Sequence, residues 1–469
     1  MGYLEFEVDI SPKAKVLQEA AREFGMEVMR PAGIELDKLS DPADVMAEGS
    51  VLWDVFKKYR ELGFHKMMIP RAYGGSAGKA PAIAQTLIGE QLGYADSGLA
   101  ISLGAASMPF AMAILSPDAE VRDLARQYAE DTEADMVGCW AITEPDHGSD
   151  WVMGTTKAGD NPKLGPGTRA VKKGDEYIVN GWKAAWVSNG TIATHAVLHV
   201  GIDQSRGMHG SGIALCPLDL PGISRGKPLN KIGQRPLNQG EILFEDVKLH
   251  KKYMLLSTPG VFGSNVFGKV FLGTANSFMG VTFAGLAQAV LDEAIKFAKE
   301  TDYCGAPLIE QERIRLKLFY MFAMVESARL FARKVVNYRN AKKPSPVAKG
   351  ISAMVTSSKA TFWTISNAIQ LLQKLYVKYG DRERVRSFIE KIAQSDGSKT
   401  QMDWGMYGIA SKVLATETAF NVAGEAMQIF GEKGISTEYP VEKMLRDARA
   451  AMIEDGANEA LALAASEGL

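Results

Sequence analysis

Cysteine is scarce. Three residues in 469, Cys139, Cys216 and Cys304, stand far apart and form neither a disulfide framework nor a metal-ligand pattern. That scarcity fits a reducing compartment. Charge of one sign is also missing: 53 basic residues against 55 acidic ones leave a net charge of −2. Such a balance gives no electrostatic reason to expect nucleic acid or an anionic membrane as partner. The N-terminus, Met1-Gly2-Tyr3-Leu4-Glu5-Phe6, has no apolar h-region, so a cytoplasmic location is expected. Internal repeats and low-complexity tracts are absent. Of the six histidines, His147 has no second ligand at metal spacing and is read as a loop side chain, so no metal site is expected. Long apolar runs are almost absent. The exception, residues 270–291, holds 22 residues without a charge, long enough to span a bilayer. Three glycines, two threonines, Asn276, Ser277 and Gln288 interrupt it. It is read as a helix surrounded by protein, with no membrane span.

What is present is ample core: 46% hydrophobic and 23% charged residues, as in a soluble globular chain of two or three domains. Residues 1–135 show helical spacing at 12–24 and 51–62, the latter stopping at Gly63. A further helix is expected to open at Pro81, and another to cover 98–115. From 136 to 255 the periodicity drops towards two and Gly, Pro and Asn punctuate short runs. Residues 193–200, 212–218 and 241–244 read as strands, and Tyr177-Ile178-Val179-Asn180-Gly181-Trp182-Lys183 as half a hairpin with an Asn-Gly turn. From 256 to 469 long helices return, over 270–301, 310–339, 351–379 and 404–430. The expected fold class is α+β: an N-terminal helical domain, a small middle β-barrel domain and a C-terminal helical bundle. The chemistry is expected at their junction.

The most informative stretch is 139–150, Cys-Trp-Ala-Ile-Thr-Glu-Pro-Asp-His-Gly-Ser-Asp. A strand-like run ends in a loop of small donors and acceptors, suited to close approach by a flat or phosphorylated ligand. It is followed by Asn180-Gly181-Trp182-Lys183, by Trp186-Val187-Ser188-Asn189-Gly190, and by Phe244-Glu245-Asp246-Val247, a strand-ending acidic turn. Near the C-terminus come Gln428-Ile429-Phe430-Gly431-Glu432-Lys433-Gly434, then Glu438-Tyr439-Pro440-Val441-Glu442-Lys443 and Arg446-Asp447-Ala448. In this order and spacing the set resembles the acyl-CoA dehydrogenase family over nearly the whole chain.

The resemblance implies one FAD per subunit and a homo-oligomer, dimer or tetramer. It also implies an acyl-CoA thioester as substrate and an electron-accepting protein such as an electron-transfer flavoprotein. Residues matching its cofactor contacts are Ile142, Thr143, Ser149, Trp186 (the ring wall) and Ser188 (the hydroxyl near flavin N5), with Gln428 and Gly431 in the later block. Ser149, Asn276 and Gly456 match positions near the substrate. The reaction implied is α-proton abstraction by a carboxylate with transfer of the β-hydrogen as hydride to flavin N5.

The departures are specific. The family's base is usually a Glu between an aromatic residue and Gly. Here the block reads Ile453-Glu454-Asp455-Gly456, which puts Asp455 at the base position and Glu454 where the aromatic stands. Asp is one methylene shorter, about 1.5 Å of reach, a misplacement that matters for catalysis. The alternative base position falls near Ala275, where no carboxylate exists between 270 and 291. Thr301 replaces an Arg that in the family reaches FAD diphosphate, with Arg313 or Arg315 as substitutes. Asn276 and Gly273 replace an Arg and an Asp near CoA. Residues 344–401 exceed the family pattern and read as an extra helical hairpin. Lys183, beside the Asn-Gly pair, is read as solvated.

These features point to an FAD-dependent acyl-CoA dehydrogenase acting on an unusual acyl group: cyclic, aromatic-derived or bulky. Two alternatives stay open. One is a non-catalytic, partner-dependent subunit of the same fold, and the other a nitroalkane oxidase-like flavoenzyme with an Asp base.

Overall fold

The computed structural model describes residue 4 and residues 10–78, 82–155, 157–257, 265–341 and 400–467. The hairpin expected beyond 344 and the helix start at Pro81 fall outside these residues, as does nearly all of the expected insertion.

Helices come first. Helix α1, Pro12–Phe24, begins behind Ser11, whose side chain accepts from the Ala14 amide. This is the N-cap arrangement that satisfies an otherwise orphaned donor. After a π-turn at Gly25–Met29 follow α2 (Arg30–Asp37) and α3 (Val51–Glu61), with Gly63 at φ +72° where α3 ends. Helices α4 (Ala82–Ala95), α5 (Ser97–Ala113) and α6 (Ala119–Glu130) complete this part. Asp96 and Asp118 cap α5 and α6.

The sheet comes next, and its order is β6-β7-β3-β2-β4-β5-β8, with β1 alongside β4. The strands are β1 (Gly138–Ala141), β2 (Arg169–Lys173), β3 (Glu176–Lys183), β4 (His195–Gly201), β5 (Ser211–Pro217), β6 (Ile223–Pro228), β7 (Gly240–His250) and β8 (Met254–Leu256). Strand β1 runs parallel to β4, pairing Gly138 with His195 and Ala141 with Leu198. The leading motif is therefore an integral strand of the sheet, and its loop leaves at a fixed place.

Two local expectations fail here. Asn180-Gly181 is not a hairpin turn: β3 continues through it, and the pairing with β7 shifts between Val179 and Gly181. Gly181 sits at φ +147°, and a Cβ there would lie 2.4 Å from the Thr168 Cα. The extra residue lies on β7, where three steps from Val247 to Phe244 face two on β3, and the glycine admits the close backbone approach of Thr168. Phe244-Glu245-Asp246-Val247 does not end its strand either. It lies within β7, with Asp246 at φ +48° and its amide bonded to the Asn180 side chain at 2.8 Å.

Long helices close the chain: α7 (Asn265–Glu300), α8 (Glu312–Ala341), α9 (Thr400–Phe430), α10 (Pro440–Ala451) and α11 (Asn458–Ser466). Helix α7 is long and apolar enough to cross a bilayer, yet 72% of its most apolar window is buried inside the protein. Its small residues explain how. A Cβ on Gly285 would meet the Glu90 carbonyl of α4 at 2.1 Å, and one on Gly280 would meet the Ser411 Oγ of α9 at 2.1 Å. The helix thus sits at backbone distance from two others, around a core of Phe283, Ala287, Val290, Ala419, Val422 and Ala423.

Candidate active site

A buried ion pair fixes the leading loop. Lys183 has no solvent-exposed surface, and its Nζ donates to Glu144 Oε1 at 2.6 Å and to the Ile142 carbonyl at 3.1 Å. The solvated reading of Lys183 is therefore corrected: alternation along β3 puts it on the same buried face as Tyr177 and Val179. Glu144 also accepts from the backbone amides of Gly167 (2.6 Å) and Thr168 (2.9 Å). Burial pushes the Glu144 carboxyl up, but the charge and hydrogen bond of Lys183, with the Thr168 amide, outweigh it and hold it below its ordinary value. Burial lowers the Lys183 ammonium to about 8 despite Glu144, so both groups are ionised at neutral pH. The carbonyls of Ile142 and Thr143 are engaged by Lys183 and by the Ala184 amide (2.9 Å), which locks this loop to β3.

Beyond β3 lies the second motif. Val187 is buried, whereas the neighbouring Trp186 is 52% exposed. The Gln239 side-chain amide donates to the Trp186 carbonyl (3.2 Å) and to Ser188 Oγ (3.3 Å), and Ser188 bridges Gln239 in an isolated β-pair. Gln239 in turn accepts from Lys231 Nζ at 2.6 Å. A large indole left open beside a hydroxyl, on a backbone held this firmly, suits a flat polar-edged ring.

The carboxylates stand on the turn between α10 and α11. Asp455 has φ +51° and Gly456 φ +95°. A left-handed non-glycine residue persists only where its surroundings over-determine it. Two contacts do so. The Ala457 amide donates to Ser149 Oγ at 2.8 Å, joining the turn to the leading loop, and Lys412 Nζ donates to the Gly456 carbonyl at 2.8 Å. A Cβ on Gly456 would lie 2.9 Å from Val152 Cγ2, so the turn is pressed against the residues that follow Ser149.

Asp455 keeps an exposed side chain, yet burial raises its carboxyl above the ordinary value, opposed by Lys412. Glu454 is also raised, first by burial and then by Asp455, against the pull of Lys231, Gln234 and Lys412. Its Oε2 is buried with no hydrogen-bond partner among the described residues. Lys231, lowered by burial to about 8, faces Glu454 and so links the carboxylate turn to the Gln239–Trp186–Ser188 wall.

The structure thus docks Ser149, on the loop that follows Ile142 and Thr143, against the turn of Glu454, Asp455 and Gly456, and Lys231 faces that turn while holding the Gln239 that binds Trp186 and Ser188. Asn276 is fully buried. Its Nδ2 donates to the Leu272 carbonyl of its own helix at 2.9 Å, and its buried Oδ1 has no hydrogen-bond partner among the described residues. Gln428 and Gly431 stand at the far, exposed end of α9. Gln428 is sixteen residues beyond Lys412, about 24 Å along a helix axis. Arg313 and Arg315 are both exposed on the first turn of α8. Among the described residues no cluster of His, Cys, Asp and Glu could hold a metal ion.

Sequence reasoning missed Glu144, Lys231, Gln239 and Lys412. One signal was legible: Lys412 is the lone charge between Trp404 and Thr416 in an otherwise uncharged helical stretch.

The fold is a sheet held between helical blocks with a carboxylate turn docked on a strand-end loop, and the comparisons give its family, one of oxidoreductases. Residues 11–117, 139–247 and 277–375 with 373–469 match the N-terminal, middle and C-terminal domains of acyl-CoA dehydrogenase. This chain belongs to the acyl-CoA dehydrogenase family. It is 26% identical over 455 residues to the mitochondrial short-chain specific acyl-CoA dehydrogenase of Rattus norvegicus, covering 96% of this chain and 89% of that protein. Among solved structures, butyryl-CoA dehydrogenase from Megasphaera elsdenii superposes with a TM-score of 0.74 at 22% identity, covering 99% of both chains. An acyl-CoA dehydrogenase complexed with FAD from Bacillus anthracis gives 0.73 at 21% identity, over 97% of this chain and 66% of that one.

Proposed function

We propose that the chain is an FAD-dependent acyl-CoA dehydrogenase in which Asp455 removes the α-proton of an acyl-CoA thioester. The observation that carries this reading is Asp455 itself: solvent-accessible, crowded enough to raise its carboxyl, and held at φ +51° on a turn clamped by Ser149 and Lys412. A carboxylate raised towards working pH is a more effective base than an ordinary one. Asp455 takes the α-proton as the β-carbon gives up its hydrogen with the bonding pair. FAD, when bound, supplies the hydride acceptor. The residues fit it: Trp186 offers an open aromatic face, Ser188 a hydroxyl, and Ile142 and Thr143 a strand end fixed from behind.

The acyl group is proposed to be an unusual one. Asp455 is a methylene shorter than the family's usual Glu, and Glu454 brings a second acidic group where an aromatic residue normally closes the site. Both favour an α-carbon presented closer to the turn, as a cyclic, aromatic-derived or bulky acyl group would require.

The enzyme is further proposed to be a cytoplasmic homo-oligomer that passes electrons to an electron-transfer flavoprotein. Two observations support the oligomer. Gln428 and Gly431 stand exposed at the end of α9, open to a second copy. Helix α8 also exposes Leu316 (56%), Phe319 (62%), Tyr320 (60%) and Phe322 (41%), a stripe that suits a second copy.

The deciding experiment is anaerobic flavin bleaching across straight, branched, cyclic and dicarboxylic acyl-CoA thioesters, repeated with Asp455→Asn. Bleaching by at least one thioester, lost in Asp455→Asn, is expected. An Asp455→Asn enzyme as fast as wild type would remove Asp455 from the role of base. A protein that takes up no FAD would sink the reading as a whole.

A further inference from the structure

Lys412 takes no chemical step in the reaction outlined above, yet its placement is unusual. It lies on α9 with no exposed surface, and its Nζ donates to the Gly456 carbonyl at 2.8 Å and to Asn458 Oδ1 at 2.7 Å. Those two acceptors bracket the turn on which Asp455 adopts its left-handed backbone. Asn458, 6% exposed, is tied in turn to Thr416 of α9, its Nδ2 donating to Thr416 Oγ1 at 3.1 Å. Burying an ammonium costs several kcal/mol unless charge and hydrogen bonds compensate. A methionine would fill the same space with no such cost. An ammonium here is therefore poorly explained by packing alone.

We propose that Lys412 is a positioning residue for the base: it clamps the Gly456–Asn458 turn from behind and supplies the positive charge that faces the Asp455 carboxyl. The proposal rests on Asp455 being the base. Lys412 faces three acidic groups, Asp455 and Glu454 from the turn and Glu417 from its own helix. Helix α7, packed on the other side, contributes no charge between Leu272 and Leu291. For Asp455, Lys412 is the charge that opposes the effect of burial. Its contribution is to keep Asp455 raised, as a base near working pH should be, without letting burial carry it so high that the carboxylate is lost. Burial lowers Lys412 itself to about 8, so it remains charged at neutral pH.

The test uses the FAD-loaded full chain and three variants: Lys412→Met, Lys412→Arg and Asn458→Ala. Two readouts are taken. One is the acid limb of the pH–rate profile at saturating acyl-CoA. The other is the titration of Asp455 by infrared difference spectroscopy against Asp455→Asn, which reads the carboxyl whether or not the enzyme turns over. Lys412→Met is expected to move both upward by about one pH unit or more, which makes turnover about tenfold slower on the acid side. Lys412→Arg is expected to return both towards wild type. Asn458→Ala, which removes one acceptor and keeps the charge, is expected to lower the unfolding midpoint and leave the limb in place. Should Lys412→Met fail to fold, Lys412→Gln keeps a donor towards Gly456 and carries the same expectation. An unmoved Asp455 titration in the neutral variants overturns the proposal, as does an equal shift in Asn458→Ala. Full activity in Asp455→Asn would instead overturn the base assignment, and the infrared titration separates that failure from this one.

Discussion

Replacing Lys183 by Met tests whether the leading loop is held by charge. The substitution keeps the side chain's volume and removes an ammonium that donates to Glu144 (2.6 Å) and to the Ile142 carbonyl (3.1 Å) with no exposed surface. Removing one partner of a buried pair leaves the other charge uncompensated, typically at about 3–5 kcal/mol. Glu144 would still accept from the Gly167 and Thr168 amides, so the low end, about 3 kcal/mol, is expected here. Denaturant unfolding at pH 7 measures it. The double variant Lys183→Met/Glu144→Gln should recover part of the loss, because it removes the stranded charge; contacting pairs of this kind couple by about 0.5–3 kcal/mol. The pH dependence follows from the directions. Glu144 is held below its unfolded value of 4.5, so its contribution is complete above that pH and is lost as pH falls through the depressed folded value. Lys183, at about 8 against 10.5 unfolded, carries its full burial penalty below pH 8 and is relieved as pH rises towards 10.5. Lys183→Met should therefore flatten the wild-type loss of stability in acid. A Lys183→Met protein as stable as wild type, with the same acid sensitivity, would refute the buried-pair account.

Ser149→Ala removes the acceptor for the Ala457 amide and should cost about 1 kcal/mol of stability. It should also lower kcat more than it raises KM, because the base turn loosens while the rest of the binding surface stays. Steady-state kinetics beside a thermal melt would show this, and an unchanged kcat would contradict it. Gly285→Ala places a Cβ 2.1 Å from the Glu90 carbonyl and 2.8 Å from the Tyr94 amide. Both are backbone atoms, so α4 and α7 must part, at about 1–3 kcal/mol or more by the usual cost of overpacking. A melting temperature equal to wild type would show that these helices are not in backbone contact.

Much of this molecule was legible in its residues. Helix α1 spans 12–24 as its spacing foretold, and the charge-free run proved a core helix because its glycines and small residues admit other backbones. Family membership followed from several short motifs in order, each weak alone. Local patterns misled where the chain approached itself closely. Asn180-Gly181 carries a turn signature, but Gly181 lies against Thr168, 2.4 Å from a would-be Cβ, within a continuous β3 whose inner face also holds the Lys183 read as solvated.

The sequence by itself determined the helix–sheet–helix order, the family and the candidate carboxylates, because periodicity and motif spacing are properties of the chain. Only the tertiary structure decided which charges are buried and what faces them. The Ala457 amide, two residues after Asp455, donates to Ser149 from 308 positions away, and Lys412 reaches the same turn from a different helix. Burial, pairing and the resulting protonation states depend on atoms brought together from distant parts of the chain, and no local pattern encodes that meeting.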